Sequence, residues 1–414
     1  MIEQAQPLSS RHVSALDGVR GIAILAVTAF HFVWQANQQV PSTQGCRLLT
    51  RVADLGTNGV DLFFVLSGYL ITGILLDTKN SPRFFRNFYA RRFLRIFPLY
   101  YAFLTLLLVA APIFFPDSAL VRQAGRNQAW VWLYATNIKL ALADAWAFCG
   151  APVCGQGIEL NHTWSLAVEE HFYLVWPLVV FCCSRRRLMH TCAALFLLAL
   201  FFRLRLRNSW FAMYALTPCR MDTLATGAFV AAAERELGLA WLLRVDRLPA
   251  SVAALAFAVI VGLPGGPAGR VPAVQAATFS VTAVLAATLI VSALASRETG
   301  ARGRIARALD HPVLRTFGKY SYGLYLFHSA LRPLLMRIFP ADRMADALRS
   351  PALGIVAYYV LATTSCLGLA WCSYHLFEKH LLRLKVYFAD RADGLAGRAE
   401  VLATTASDAA QGRR

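Results

Sequence analysis

Ten stretches of mostly apolar residues, each near the length that spans a bilayer, recur between residues 16 and 376. They cover 16–36, 59–78, 98–116, 164–183, 188–206, 217–235, 249–265, 272–294, 320–338 and 353–376. A span of hydrocarbon needs about 20 such residues. Within lipid, every backbone N–H and C=O must be paired internally, which leaves only helices and closed barrels. Continuous apolar runs, rather than short alternating segments, choose helices. Only 15% of the 414 residues are charged, against roughly a quarter in soluble domains. The expected fold is therefore all-α, a polytopic membrane bundle of about ten helices.

Charge orients that bundle. The formal net charge is +18, but the positive residues form no basic domain. They gather in Arg83–Arg95, Arg185–Arg187, Arg297–Lys319 and Lys379–Lys385. With the N-terminus inside, loops 79–97, 184–187 and 295–319 and the tail all fall on the cytoplasmic side, as the positive-inside rule requires. Topology thus accounts for the charge, and nucleic acid is not expected as a partner. Both termini are expected on the cytoplasmic side. Residues 1–15 form a polar N-terminal segment with no cleavage pattern after the first apolar run. Residues 16–385 form the membrane domain, and 386–414 an irregular tail expected to be disordered. The apolar stretch 128–144 would turn the later basic loops outward if it spanned, so it is read as re-entrant or interfacial. Arg203, Arg205 and Arg207 fit this topology least well. Either a boundary is shifted there, or they line a polar cavity.

The nine cysteines suggest no metal or redox framework. Most lie in apolar runs as small core residues; Cys149 and Cys154 share an outer loop where a disulfide is permitted. His162 and His171 stand nine residues apart, not at ligand spacing, and no metal is expected.

Ionisable residues inside such spans are rare without a function. Arg20 and His31 stand at the two ends of the first apolar stretch. Eleven residues of helix make about three turns, so the pair shares a face about 16 Å apart along the axis. Histidine can exchange a proton near neutral pH. Arg92 and Arg95 lie one turn apart beside Arg91, and guanidinium forks bind phosphates. Glu169 and Tyr173 share a helical face just inside the fourth span, where a carboxylate could orient an imidazole or hold a hydroxyl. Asp61, Ser67–Gly68 and His328 read as mainly architectural. No Gly-x-Ser-x-Gly elbow supports Ser67 as a nucleophile.

Five segments recur in a recognisable order: Asp17-Gly18-Val19-Arg20 leading to His31; Gly59-Val60-Asp61 through Ser67-Gly68-Tyr69; Arg91-Arg92-Phe93-Leu94-Arg95-Ile96-Phe97-Pro98; His162-Thr163-Trp164-Ser165-Leu166 through Glu169 and Phe172-Tyr173; and Ser321-Tyr322-Gly323 through His328. From about residue 12 to 378 this set resembles the acyltransferase-3 family of membrane enzymes that O-acetylate cell-surface sugars. The resemblance implies about ten helices, acyl-CoA (acetyl-CoA above all) as a co-substrate with no tightly bound cofactor, and a carbohydrate acceptor. By position it implies an essential His31 paired with Arg20, a donor-binding group of Arg91, Arg92 and Arg95, and a motif carrying Glu169 and Tyr173. His171 stands where the family commonly has glutamine. Some relatives carry a fused hydrolase-like domain that the short tail here cannot fold, so this chain is expected to act alone or with a partner. Acyl transfer asks for a base, an oxyanion stabiliser and an anchor for a polyphosphate, and His31 is the expected base. A transporter would also explain many spans with buried charge, and a scaffold for polysaccharide assembly would tolerate changes at both His31 and Arg92.

Overall fold

The computed structural model describes residues 13–118, 121, 125, 127–147, 158–263, 271–295 and 304–388. Among these residues no strand occurs, and ten long helices carry the fold. They are α1 (Ser14–Asn37), α2 (Gly59–Asp77), α3 (Phe84–Thr105), α4 (Thr163–Cys182), α5 (Arg185–Arg205), α6 (Thr217–Leu237), α7 (Arg247–Gly262), α8 (Pro272–Leu294), α9 (Ser321–Ile338) and α10 (Pro351–Ser373). Each corresponds to one of the ten apolar stretches. Seven helices are long and apolar enough to cross a membrane, and eight if α7 is counted with Leu239–Val245, which it meets at 46°.

The two that fall short of that standard, α6 and α9, are the most polar inside. Arg220, Asp222 and Thr223 of α6 and His328, Ser329 and Arg332 of α9 are all buried. A helix enclosed by others faces protein rather than lipid, so it can hold charges that a lipid-facing helix cannot. Leu174 and Leu178 of α4 and Leu255 and Val259 of α7 are exposed, as a lipid-facing surface demands. The chain is a multi-pass membrane protein.

Interhelical bonds show how the helices alternate. At one end, Arg235 of α6 pairs with Asp77 of α2 at 2.7 Å, Arg186 of α5 with Glu236 at 2.7 Å, and Lys79 Nζ donates to the Cys183 carbonyl at 2.6 Å. At the opposite end, Tyr358 of α10 donates to Gln35 of α1 at 2.8 Å, and Arg332 of α9 pairs with Glu159 ahead of α4 at 2.9 Å. Thr282 of α8 donates to Asn58 ahead of α2 at 3.1 Å. Close backbone approach fixes the centre. A Cβ on Gly68 of α2 would lie 2.0 Å from the Leu224 carbonyl oxygen, and one on Gly227 of α6 would lie 1.8 Å from that of Val65. Only glycine allows α2 and α6 to touch there.

Two expectations change. The third helix begins at Phe84 rather than at residue 98 and runs on to Phe114, with Pro98 inside it. The basic loop 79–97 is therefore mostly helix. Charge marks where a chain leaves hydrocarbon, not where the helix ends. The stretch 128–144, read as re-entrant or interfacial, forms two short helices, Gln128–Trp132 and Thr136–Ala143, with Tyr134 between them at φ 51°. Arg203 is neither misplaced nor cavity-lining: it is wholly buried, paired with Asp222 at 2.7 Å and bonded to Ser280 Oγ and the Cys219 carbonyl. Arg205 and Arg207 are exposed. Cys149, Cys154, most of the N-terminal segment and nearly all of the expected tail lie outside the described residues.

Candidate active site

The expected site residues fall into two groups at different depths. His31 sits in the second turn from the C-terminal end of α1 and lines a cavity of about 270 Å³. Arg20, Arg92, Arg95, Glu169 and Tyr173 line a second cavity of about 240 Å³. Arg91 lines neither; it lies one residue, and so about 100° of helix, away from the Arg92 and Arg95 face. Sharing a face of α1 thus sets Arg20 and His31 on a common line but opens them into separate spaces.

Around His31 the hydrogen bonds fix the protons. His31 Nδ1 lies 3.0 Å from the Val27 carbonyl and 3.3 Å from His328 Nε2. His328 Nδ1 lies 2.6 Å from the Tyr325 carbonyl. A carbonyl oxygen only accepts, so both Nδ1 atoms carry the hydrogen in the neutral rings. That leaves the lone pair of His31 on Nε2 and that of His328 on the atom facing His31. A base oriented by a second acceptor is the arrangement that general-base catalysis uses. The His162 ring lies 5.2 Å from that of His328, and its Nε2 donates to the Leu326 carbonyl at 3.2 Å.

The walls of this first cavity are rich in rings: Trp34, Trp146, Trp164, Trp210, Tyr214 and Phe279. Two buried acceptors, Oε1 of Glu159 and Oε1 of Gln275, have no hydrogen-bond partner among the described residues. Both residues line the cavity. Behind the rings lies Arg220, with its guanidinium carbon 3.8 Å from the Phe279 ring centre and 5.5 Å from that of Trp164. Arg220 pairs with Asp61 in full burial. Asp61, in the first turn of α2, neutralises the charge behind the aromatic wall.

In the second cavity Arg92 lies over the Tyr173 ring at 5.5 Å, and the Tyr173 hydroxyl bonds Ser67 Oγ. Arg20 is held by Asp17 at 2.9 Å. Arg20 and Arg95 also line a wide recess of about 610 Å³ with Arg315 and Lys319. The second cavity therefore continues into a basic vestibule at the end where α1 begins. Around the first cavity, three residues were not anticipated as site residues. His328 and Arg220 were legible only as ionisable groups inside apolar stretches, and Arg332 as a charge within the ninth.

Comparison with known proteins shows what the chain is similar to. The chain is 34% identical over 173 residues to Peptidoglycan O-acetyltransferase OatA of Listeria monocytogenes, covering 41% of this chain and 24% of that protein. It is 28% identical over 341 residues to O-acetyltransferase OatA of Staphylococcus aureus, covering 77% and 50%. It is also 28% identical over 399 residues to YrhL of Bacillus subtilis, whose peptidoglycan O-acetyltransferase name is itself provisional, covering 89% and 55%. The chain thus spans about half or less of the length of the curated relatives it matches. No solved structure matches. The family model described as the acyltransferase domain matches residues 13–371, the whole bundle from the start of α1 to near the end of α10, and the chain belongs to that acyltransferase family.

Proposed function

We propose that this chain is an integral-membrane O-acyltransferase of the bacterial cytoplasmic membrane. It moves an acyl group, in the simplest case acetyl, from acyl-CoA to a hydroxyl of a cell-surface glycan. The reading is carried by one observation: in a chain of this family, a histidine whose ring is held through Nδ1 lines the cavity that lies beyond one reached through arginines. The relatives' names point to peptidoglycan as the acceptor class.

The basic vestibule faces the cytoplasm, as the positive-inside rule suggests, and the ten helices cross in alternation. The bonds that tie α2, α4, α5 and α6 at one end, and α1, α9 and α10 at the other, support this count. The donor's phosphates lie on Arg20, Arg95, Arg315 and Lys319, because guanidinium forks grip phosphate oxygens. Its thioester arm runs up the second cavity past Arg92, with Tyr173 and Glu169 holding that arginine's surroundings. Arg91 has no part in the grip. The acceptor sugar lies in the first cavity, where rings pack against its C–H faces and the orphaned acceptors on Glu159 and Gln275 take hydroxyl hydrogens.

His31 Nε2 removes the proton of the acceptor hydroxyl as its oxygen attacks the thioester carbonyl. The imidazolium is steadied through Nδ1–H toward His328, whose own Nδ1–H is held by the Tyr325 carbonyl. When the C–S bond breaks, the proton passes to the departing thiolate. The products are an ester and free coenzyme A thiol.

The test is thiol release from acetyl-CoA by the purified protein in lipid, with muropeptide or surface-glycan acceptors, for wild type and His31→Gln. Acceptor-dependent release that His31→Gln abolishes is the expected result. Release that is unchanged in the variant rejects the histidine as base. Glycan flux without thiol release would favour the transporter that the sequence alone also allows.

A further inference from the structure

The two cavities are back to back. Of the residues lining each, two are common to both: Tyr325 of α9 and Val60 of α2. The Tyr325 ring is bracketed by one neighbour from each space. Phe63, which lines the second cavity, is 6.1 Å away, and His162, which lines the first, is 5.6 Å away. Its hydroxyl donates to the His162 carbonyl at 3.0 Å and shares a 2.5 Å bond with Ser165 Oγ at the start of α4. Its backbone carbonyl holds His328 at 2.6 Å. One residue therefore closes the way between the spaces, is latched to a different helix by its side chain, and fixes the histidine pair by its main chain.

We propose that Tyr325 is a movable partition: latched, it separates the donor and acceptor cavities, and released, it joins them into one passage from the basic vestibule to the outer face. The separation has a physical purpose. Water continuous through the bundle would let ions cross and would hydrolyse a reactive acyl donor before an acceptor arrived. A side chain held by two hydrogen bonds, each of modest net strength, is stable enough to seal and weak enough to yield. Because the latch sits three residues from His328, displacing the ring moves the carbonyl that fixes the histidine pair. Opening and base alignment are thus mechanically joined. The purpose rests on the acyl-transfer reading; the partition itself rests on geometry alone.

The test reads the partition without any acyl donor. Full-length protein is reconstituted into liposomes loaded with a halide-quenched fluorophore, and iodide entry is followed. Wild type is expected to leak no faster than empty liposomes. Tyr325→Ala, which removes the ring, is expected to raise entry at least tenfold. Val60→Ala widens the same constriction from α2 and is expected to raise it less, as is Tyr325→Phe, which keeps the ring but loses the latch. Both alanine variants are checked for a monodisperse profile and wild-type melting. Wild-type leak in whichever alanine variant folds overturns the proposal. Thiol release measured in parallel separates the two ideas: leak without turnover keeps the partition and rejects acyl transfer, and turnover with a tight Tyr325→Ala protein does the reverse.

Discussion

At the scale of single residues, the pairings of buried charge set what can be changed. His31 acts as the base and His328 orients it, so the losses on removing the two are expected to be unequal and non-additive. His31→Gln is expected to lower turnover by about 10²–10⁴, the range general-base catalysis contributes. His328→Ala lowers it less while leaving the donor KM near wild type, and steady-state thiol release at varied acetyl-CoA checks the split. The Arg220–Asp61 pair behaves differently. Both groups are about 1% exposed, and leaving one buried charge without its partner costs about 3–5 kcal/mol. Asp61→Ala is therefore expected to lower the melting temperature sharply. Asp61→Ala combined with Arg220→Met is expected to recover much of that loss, which thermal melting in detergent measures. No recovery would mean that Arg220 is required by the aromatic wall itself and not merely neutralised there.

At the scale of elements, the sequence was readable wherever one physical demand dominated. Lipid asks for about 20 apolar residues, and each of the ten stretches became a helix. It was least readable where a helix serves two media. α3 carries Arg86, Arg91, Arg92 and Arg95 in its first turns, so charge disguised helix as loop. The site followed the same rule. Spacing set Arg20 and His31 on one line and Arg92 with Arg95 on one face, because these relations are local. It did not reveal His328 against His31, 297 residues apart, or Arg220 against Asp61, 159 apart, because such pairings are made by packing. The α2–α6 contact gives a test at this scale. Gly227→Leu is expected to separate these helices and abolish recovery of monodisperse protein, since even a Cβ would overlap the Val65 carbonyl. A glycine with open space around it, Gly368, is expected to accept alanine without loss. Fluorescence-detected size exclusion compares the two.

For the whole molecule, three spaces lie in series: a basic vestibule, a cavity bearing arginines, and an aromatic cavity bearing His31. Removing charge from the vestibule should then alter capture of the donor and leave the chemistry alone. Arg315→Ala with Lys319→Ala is expected to raise the acetyl-CoA KM by about tenfold, or 1.4 kcal/mol, at unchanged kcat. The gap between variant and wild type should narrow as salt rises, because exposed charges are screened. Kinetics at two ionic strengths tests this, and a fall in kcat instead would place those residues beyond the vestibule's role.

The polar helix α6 also bears on how the protein is made. Asp61 leaves the ribosome well before Arg220, and Asp222 after Arg203, so α2 and α5 enter the membrane each with a lone charge that only α6 can answer. Neither can reach its final depth in lipid alone. Insertion is then provisional until residue 237 has been synthesised, and the first five helices must wait near the translocation machinery as a loose group. Nascent chains halted before α6 should therefore be extracted and degraded, whereas those halted just beyond it should persist.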